Sequence, residues 1–437
     1  MCDYELPKQG HAMQVRIKKI VYPGKSLAEH DGKVVFTDSG LPGEVVEVEA
    51  VREKSSFVEA RTVAVVEPSP RRVEPRCGHY KACSPWQDME YALQLEVKGG
   101  QVREIFAREL RIDLAGPEVV PSPKIWGYRN RARFHVLREG GEARAAYHEP
   151  GEEHAFVPTG PCHLLPDEIN ALCADILDTI NVFEIGAITD VEIRRSSADG
   201  RMLAAFEIGP GADVPEIRKA FGGLRDRFPV AGIVGLVRDK ARIRELAILG
   251  KGFIEEAAAG AKFRLGPGSF FQVNGDMLFA AVEEIRRVAA AAGEPRIADL
   301  YCGVGTFGIL LAHKAKEVFG VESDPENLRF LRKNLFANSV GNYAVCEGTS
   351  EEWIGELLDR GIDVAIVDPP RRGLEPALVR ALAERPVPAL VYLSCNPATL
   401  ARDLKGLREA YVPETVKVLD FFPHTPHIET LVVLKRG

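Results

Sequence analysis

One cysteine of the chain follows an apolar run at a point where the sequence changes character. Cys395 comes directly after residues 389–394 (ALVYLS) and precedes Asn396-Pro397, after which the residues can start a helix. A thiol at the amino end of a helix has a lowered pKa and is a better nucleophile. A buried cysteine that only packs is the competing interpretation, but the position at a predicted strand end favours a nucleophile.

Two acids stand at comparable positions. Asp368 ends a short apolar run and is followed by two prolines, which fix an extended turn and leave the carboxylate facing a crevice. Glu429 begins the last apolar run, after two histidines. Amino-group methyltransferases carry a related Asp/Asn-Pro-Pro signature, but with an aromatic residue next. Arg371 stands in that place here, which argues against methylation of an amino group.

A glycine turn in RIADLYCGVGTFG points to a nucleotide-like ligand. A predicted strand ends at Asp299, and Gly303 to Gly305 lead into a helix. Glu322 ends the next predicted strand roughly 20 residues later, where an acid can bind both ribose hydroxyls. The pair suits S-adenosylmethionine as well as a dinucleotide, whereas the Gly-Lys-Ser/Thr of a P-loop does not follow. A tight turn with an unrelated surface acid is the simpler alternative.

These groups together suit one reaction. A thiolate that adds to carbon 6 of a pyrimidine makes carbon 5 nucleophilic enough to attack a methyl sulfonium, which unactivated uracil cannot do. A general base then removes the proton from carbon 5, and the thiol is expelled. Cys395 and Glu429 are the candidates for the nucleophile and the base.

Several motifs in fixed order resemble the RNA (uracil-5-)-methyltransferase family, of the 23S rRNA 5-methyluridine type with a TRAM domain. They are GSFFQVN at 268–274, DLYCGVGTFG, DPPRRG, SCNPATLARDL and FPHTPHIET, preceded by the TRAM-like GKSLAEHDGKVVFTDSGLPGE. The resemblance implies that Cys395 is the nucleophile and Glu429 the base. Thr306 departs from the family, which usually has Asn there. The positions that the resemblance assigns to the cofactor S-adenosyl-L-methionine are Gln272, Tyr301, Gly303, Gly305, Thr306, Glu322 and Asp368.

A cysteine block, CGHYKACSPW, resembles the [4Fe–4S] site of some family members. Cys77, Cys83 and Cys162 match three of the four ligand positions, and Trp86 occupies the remaining one. Three thiolates could hold a cluster with a further ligand such as His79, or bind zinc, or be remnants that pack. A metal at this block would be structural.

The segment WGYRNRARFHV is the best internal candidate for RNA contact. Alternate residues of a strand share a face, which here is basic and is suited to phosphates; it comprises Arg129, Arg131, Arg133 and His135. The amino-terminal segment adds further cations: Arg16, Lys18, Lys19, Lys25 and Lys33. OB-like barrels bind single strands by stacking and charge, so the expected target is a loop base flipped from its stack.

The patterns that must position these residues predict an α/β protein of three domains. Residues 1–68 alternate polar and apolar with Gly and Pro punctuation, which predicts an OB-type (TRAM) β-barrel. Residues 69–260 are predicted to form a small α+β central domain with the cysteine block. Residues 261–437 alternate helices and strands, which predicts a Rossmann-like methyltransferase domain with a parallel, doubly wound sheet.

Composition excludes several classes of protein. With 46% apolar and 27% charged residues, the 437-residue chain has the composition of a soluble globular protein. No apolar run approaches a membrane span, and the first residues lack a signal peptide. Eight scattered cysteines suit a reducing compartment, so we expect a cytoplasmic protein. We also expect a monomer. The net charge of −7 argues against indiscriminate coating of nucleic acid.

The leading hypothesis is an S-adenosylmethionine-dependent enzyme that makes 5-methyluridine in structured RNA, with 23S rRNA as the first candidate. The tRNA T-loop is the alternative substrate. Methylation of cytosine at carbon 5 uses the same thiol chemistry, and a non-catalytic RNA-binding protein on the same scaffold is the alternative of another class.

Overall fold

A computed structural model describes residues 12–112, 116–149, 155–239 and 242–437. These residues form four β-sheets, three of which are large. The first eleven residues of the predicted barrel domain lie outside the described residues. Within the described ranges, no helix is both long enough and apolar enough to cross a membrane.

The amino-terminal sheet has six strands. Their alternating side chains place valine and alanine on one side, and these form a small separate core around Val35, Val46 and Val48. The curled sheet is consistent with the predicted OB-like barrel. Its spatial order is β1-β5-β6-β4-β3-β2, with bounds β1 Ala12–Arg16, β2 Lys19–Val21, β3 Lys25–His30, β4 Lys33–Thr37, β5 Val45–Glu53 and β6 Phe57–Glu67.

The central sheet has seven strands in the order β10-β9-β8-β11-β12-β13-β14. Helix α3 packs its buried face, which includes Ile169, Leu172 and Ile176, into the core of this sheet. The predicted hairpin at Asp199-Gly200 is confirmed between β11 and β12. The bounds are β8 Arg131–Glu139, β9 Glu142–His148, β10 Phe156–Pro158, α3 Asp167–Val182, β11 Ile188–Arg195, β12 Met202–Ile208, α4 Val214–Ala220, α5 Leu224–Arg227, β13 Val230–Asp239 and β14 Arg242–Gly250.

The carboxy-terminal part contains the sheet that carries the predicted catalytic motifs. A hairpin precedes it, and helices alternate with its strands as predicted. The bounds are β15 Ile254–Ala258, β16 Ala261–Leu265, α6 Gly275–Ala291, β17 Arg296–Leu300, α7 Thr306–Leu311, a 3₁₀ turn at Ala312–Lys314, β18 Glu317–Glu322, α8 Pro325–Ala337, β19 Tyr343–Glu347, α9 Ser350–Asp359, β20 Val364–Val367, α10 Pro376–Glu384, β21 Ala389–Ser394, α11 Pro397–Leu407, β22 Tyr411–Leu419 and β23 Glu429–Arg436.

This eight-stranded sheet has the order β19-β18-β17-β20-β21-β23-β22-β7, where β7 is Glu118–Val120. The first five strands are parallel, as predicted, but β23 runs antiparallel between β21 and β22. Because β23 runs the opposite way, its first residue lies beside the last residue of β21, and Thr430 pairs with Ser394. The register therefore puts Glu429 next to Cys395.

Elements from the predicted central block also join this sheet. Helices α1 (Tyr80–Cys83) and α2 (Tyr91–Leu110) precede strand β7 (Glu118–Val120), which pairs in parallel with β22. The buried residues Val102, Ile105 and Phe106 of α2 belong to the same core as the inner face of α11. The boundaries at 68/69 and 260/261 stay predictions.

Candidate active site

A cavity of about 700 Å³ opens at the carboxyl ends of the parallel strands. Residues that follow β17, β18, β20 and β21 line it, as expected for a ligand site in an open α/β sheet. The start of β23 supplies Glu429, and the segment before α6 supplies Gln272. The cavity therefore brings together seven predicted site residues: Gln272, Tyr301, Gly303, Glu322, Asp368, Cys395 and Glu429.

Three acidic groups of the cavity have a raised pKa, and burial is the main cause for each. Burial, then the charges of Glu429 and Asp368, raise the pKa of the Cys395 thiol to about 11. Burial raises the pKa of Asp368 to about 7. Burial and the nearby Asp368 also raise the pKa of Glu429 well above its usual range. The prediction that the helix terminus lowers the thiol pKa is wrong for the free protein, because desolvation and two carboxylates outweigh it.

The turn that carries Cys395 is fixed by its neighbour Asn396. The Oδ1 atom of Asn396 caps α11 by accepting from the amides of Ala398 and Thr399, while its Nδ2 atom donates to the carbonyl of Arg371. The hydroxyl of Tyr22 donates to the same Oδ1 atom at 3.1 Å. Tyr22 lies between strands β2 and β3, so the amino-terminal part of the chain contacts the turn that carries Cys395.

One side of the cavity is built around the glycine turn. Glu322 accepts from the amide of Gly303 at 2.9 Å and from the amides of Ser323 and Asp324. Tyr301 adopts a left-handed backbone (φ 61°), which is strained for a residue with a side chain, and its hydroxyl donates to Glu351. These contacts hold the turn open beside a carboxylate, which is the arrangement that binds a ribose.

Two predicted cofactor residues do not line this cavity. Gly305 has a φ of 87°, and a Cβ atom there would lie 2.5 Å from the side chain of Leu331. Its absent side chain therefore permits close packing of α7 against α8. Thr306 is the first residue of α7. The predicted contact of each with the cofactor stays a prediction.

Several lining residues had no signal that we recognised in the sequence. Glu347 ends β19, and the following segment 348–351 lines the cavity beside Asn327 of α8. The Thr349-x-x-Glu352 capping box after a strand is a signal that could have found this segment. His427 also lines the cavity, and burial, Arg371 and Arg129 lower its pKa to about 4, so it is neutral at pH 7.

The cysteine block does not fit a [4Fe–4S] cluster. Trp86, at the third ligand position, is 5% exposed and packs in an apolar cluster with Ile20, Leu41, Met89 and Leu93. Across the described ranges, no three His, Cys, Asp or Glu side chains form a group that could hold a metal. The predicted ligands Cys77, Cys83 and Cys162 are therefore not supported as a metal site, and the structure gives His79 no such role either.

Two of these thiols nevertheless interact with each other. A hydrogen bond from Cys83 lowers the pKa of Cys162 to about 6, and the same contact raises the pKa of Cys83. Burial raises the pKa of Cys77. Cys162 itself is buried in the core of the central sheet.

The predicted basic strand face is largely neutralised. Strand β8 begins at Arg131, which pairs with Glu192; Arg133 pairs with Glu207, and His135 lies beside Asp190. Each predicted cation of the amino-terminal sheet likewise has an acidic partner, in the exposed pairs Arg16–Glu67, Lys18–Glu29, Lys19–Glu104, Lys25–Glu59 and Lys33–Glu53. Exposed pairs are weak, so phosphates can compete for these cations.

Comparisons with known proteins agree with this geometry. Residues 240–437 match the family model described as tRNA (uracil-5-)-methyltransferase. An uncharacterized RNA methyltransferase of Gloeobacter violaceus is 32% identical, over 98% of this chain and 97% of that protein. Another from Clostridium acetobutylicum is 30% identical over 98% of both chains.

A solved structure is similar over almost the whole length. It is the tRNA (uracil-54, C5)-methyltransferase of Pyrococcus abyssi in complex with S-adenosyl-L-homocysteine, which is 28% identical with a TM-score of 0.76. The match covers 96% of this chain and 100% of that one. Fold and cavity thus define an S-adenosylmethionine-dependent methyltransferase. The chain belongs to the RNA (uracil-5-)-methyltransferase family and is an enzyme that methylates uracil in RNA at carbon 5.

Proposed function

We propose that this enzyme methylates its uridine through a covalent adduct between Cys395 and carbon 6 of the uracil. The observation that carries the proposal is the register of β21 against β23, which puts the thiol and Glu429 side by side in one cavity. The proposal also assigns the base to Glu429. Its Oε1 atom is buried and, among the described residues, has no hydrogen-bond partner, so it is available to a ligand.

The cavity residues fit S-adenosylmethionine. We assign Glu322 to the ribose hydroxyls and Gly303 to close approach of the backbone, and both residues line the cavity. Tyr301 and Gln272 complete that wall, and the TRAM assignment of the amino-terminal sheet is part of the same proposal. When bound, this group supplies a methyl group on a positively charged sulfonium.

The protein's own residues carry the remaining steps. In this proposal the Cys395 thiol loses its proton to the carboxylate of Asp368, and the sulfur bonds to carbon 6 while the electron pair of the C5–C6 double bond moves to carbon 5. After carbon 5 has gained the methyl group, Glu429 removes the proton from carbon 5. The electrons of that C–H bond re-form the C5–C6 double bond, and the sulfur leaves carbon 6. Asp368 lines the same cavity, and its charge adds to the burial that raises the pKa of Glu429.

RNA containing 5-fluorouridine tests the adduct. Carbon 5 then carries fluorine where uridine has hydrogen, so the base has no proton to remove and the adduct persists. We expect a protein–RNA band stable to denaturation with the wild type and none with Cys395→Ala. Cys346→Ala, which removes a buried thiol outside the cavity, should trap as the wild type does. Undiminished trapping by Cys395→Ala would refute the nucleophile.

The base has a separate test on ordinary uridine RNA. We expect Glu429→Gln to form the adduct and transfer the methyl group, but to release product slowly because the proton at carbon 5 stays. A methylated covalent intermediate should accumulate, visible as radioactive methyl label on a protein–RNA band. Release at the wild-type rate would assign the base to another residue.

For the substrate we propose a uridine of the tRNA T-loop, with 23S rRNA as the second candidate. The cysteine block and the amino-terminal barrel first favoured 23S rRNA. The archaeal tRNA enzyme matches 96% of this chain, so this architecture is compatible with tRNA as well. Mapping of 5-methyluridine in both RNAs, with and without the gene, decides. Loss from 23S rRNA alone would reverse the order of the two candidates.

A further inference from the structure

A second cavity, of about 370 Å³, adjoins the catalytic one. It lies between the segment before β8, the hairpin β15–β16 and helix α6, and it is within the size range of small-molecule sites. Two residues, Arg129 and Phe271, line both cavities and so form the wall between them. Nothing in the proposed uracil chemistry uses the second cavity.

Arg129 is the cation in that wall. Its Nε atom donates to the Tyr128 hydroxyl at 3.3 Å, and no carboxylate of the described ranges lies within ion-pair distance of its guanidinium. The terminal nitrogens of Arg129 donate to no other side chain or carbonyl in the part of the chain that the structure describes. By contrast, Arg195 in the same cavity pairs with Glu168, and Lys124 pairs with Asp276.

The backbone holds Arg129 firmly. Its amide donates to the carbonyl of Leu164, and the next amide, of Asn130, donates to the carbonyl of Val273. The Asn130 side chain also donates to the carbonyl of Gln272. The guanidinium fork is therefore presented from a fixed position, and such a fork binds a phosphate in a bidentate manner.

An exposed phenyl ring stands at each cavity. Phe270 at the catalytic cavity is 55% exposed, and Phe279 of α6 at the second cavity is 53% exposed. Large apolar side chains at such exposures are suited to stacking with unpaired bases. The two rings, Phe270 and Phe279, thus lie at the two cavities, and Arg129 lies in the wall between them. A single strand likewise has a base on each side of a phosphate.

We propose that the second cavity holds the nucleotide next to the target uridine and that Arg129 binds the phosphate joining the two. The proposal rests on the function proposed above and names the RNA contact of the same site. The proposal also distinguishes the members of the predicted basic face, because Arg129 has no carboxylate partner among the described residues whereas Arg131 and Arg133 pair with acids. The chemistry requires a single-stranded neighbour, since both bases must leave the stack.

The first test is Arg129→Met, measured as binding of a 5-fluorouridine RNA hairpin at several salt concentrations. Loss of a charge-assisted contact should weaken binding about tenfold to hundredfold. The slope of log affinity against log salt should also flatten by about 0.7 to 0.9, as for one phosphate contact. Arg360→Met removes the same charge from a surface pair on α9 and should change neither quantity. A slope equal to that of Arg360→Met would overturn the proposal.

The second test replaces the nucleotide on either side of the fluorouridine with an abasic one. We expect one of the two abasic RNAs to bind the wild type about tenfold more weakly, because base stacking contributes on this scale. Phe279→Ala should remove the difference, while Phe336→Ala, which truncates an 86% exposed ring on α8, should keep it. Equal binding of both abasic RNAs would also overturn the proposal.

The two proposals fail in different ways. If the wild type forms no adduct with any fluorouridine RNA, the covalent mechanism is wrong whatever the binding data show. If the adduct forms but Arg129→Met and Phe279→Ala behave as their controls do, only the second cavity is assigned wrongly. Because Phe279 is exposed, its variant should fold even if Arg129→Met does not.

Discussion

Replacing Lys98 by Met should destabilise the enzyme and slow catalysis from a position outside the cavity. Lys98 and Asp420 form an ion pair at 2.6 Å, and both side chains are fully buried. The ammonium also donates to the carbonyl of Phe422, and the Tyr91 hydroxyl donates to the other oxygen of Asp420. The pair thus ties α2 to the segment that leads into Glu429.

The expected magnitude follows from what Lys98→Met leaves behind. Asp420 keeps one hydrogen bond but loses its counter-ion inside the protein, a change that costs about 3–5 kcal/mol of unfolding free energy. Lys19→Met is a matched control, because Lys19 pairs with Glu104 at 2.7 Å while both side chains are about half exposed. That control should lose less than about 1 kcal/mol.

Urea unfolding followed by fluorescence measures the stability, and trapping of 5-fluorouridine RNA measures catalysis. The variant with Asp420→Asn added to Lys98→Met should recover part of the loss, because the buried charge is gone. A loss from Lys98→Met no larger than that of Lys19→Met would refute the reasoning. A double variant as unstable as the sum of both single variants would refute it too.

Three further predictions test the cavity and its support. Tyr22→Phe should slow adduct formation about fivefold at an unchanged melting temperature, because it removes one hydrogen bond to Asn396; an unchanged rate would separate the amino-terminal sheet from catalysis. Burial raises the pKa of Asp299 to about 7 in the folded protein. The stability that Asp299 contributes in its protonated form is therefore complete below about pH 4, where the unfolded chain also binds this proton, and is lost as the pH rises through 7. Asp299→Asn should therefore gain stability relative to the wild type between pH 5 and pH 8, and parallel pH curves from thermal melting would contradict this. Alkylation of Cys395 by iodoacetamide should rise with pH towards 11, and Asp368→Asn should shift that rise to lower pH; an unmoved profile would exclude Asp368 as a cause.

The residues at the strand ends could be predicted because each motif is local. Asp368 and Cys395 each follow an apolar run, and parallel strands expose their carboxyl ends at one edge of a sheet. The place of Glu429 was predicted too, but the strand direction that produces it was not. A parallel final strand would have put this acid at the opposite edge, and only the antiparallel pairing with β21 brings it to the thiol.

Properties that depend on distant segments could not be predicted in the same way. The pKa of Cys395 was expected to fall because the helix start is visible in the sequence, whereas burial and the two carboxylates are not. Similarly, four alternating cations looked like one basic face. The acidic partners of the last three lie on strands 55 or more residues away, so the difference between Arg129 and Arg133 emerges only from the fold.

Asp368 and Glu429 disfavour the thiolate of Cys395 in the free enzyme, and for the same reason they make formation of the thiolate depend on the bound methyl donor. With Glu429 and Asp368 beside it, the Cys395 thiol stays neutral at pH 7, and a neutral thiol resists oxidation and alkylation. A bound sulfonium would offset the negative charge of those carboxylates, and the pKa values of Cys395, Asp368 and Glu429 would then all fall. Activation of the nucleophile should then require the methyl donor, so that the adduct forms only when the methyl group is present to be transferred.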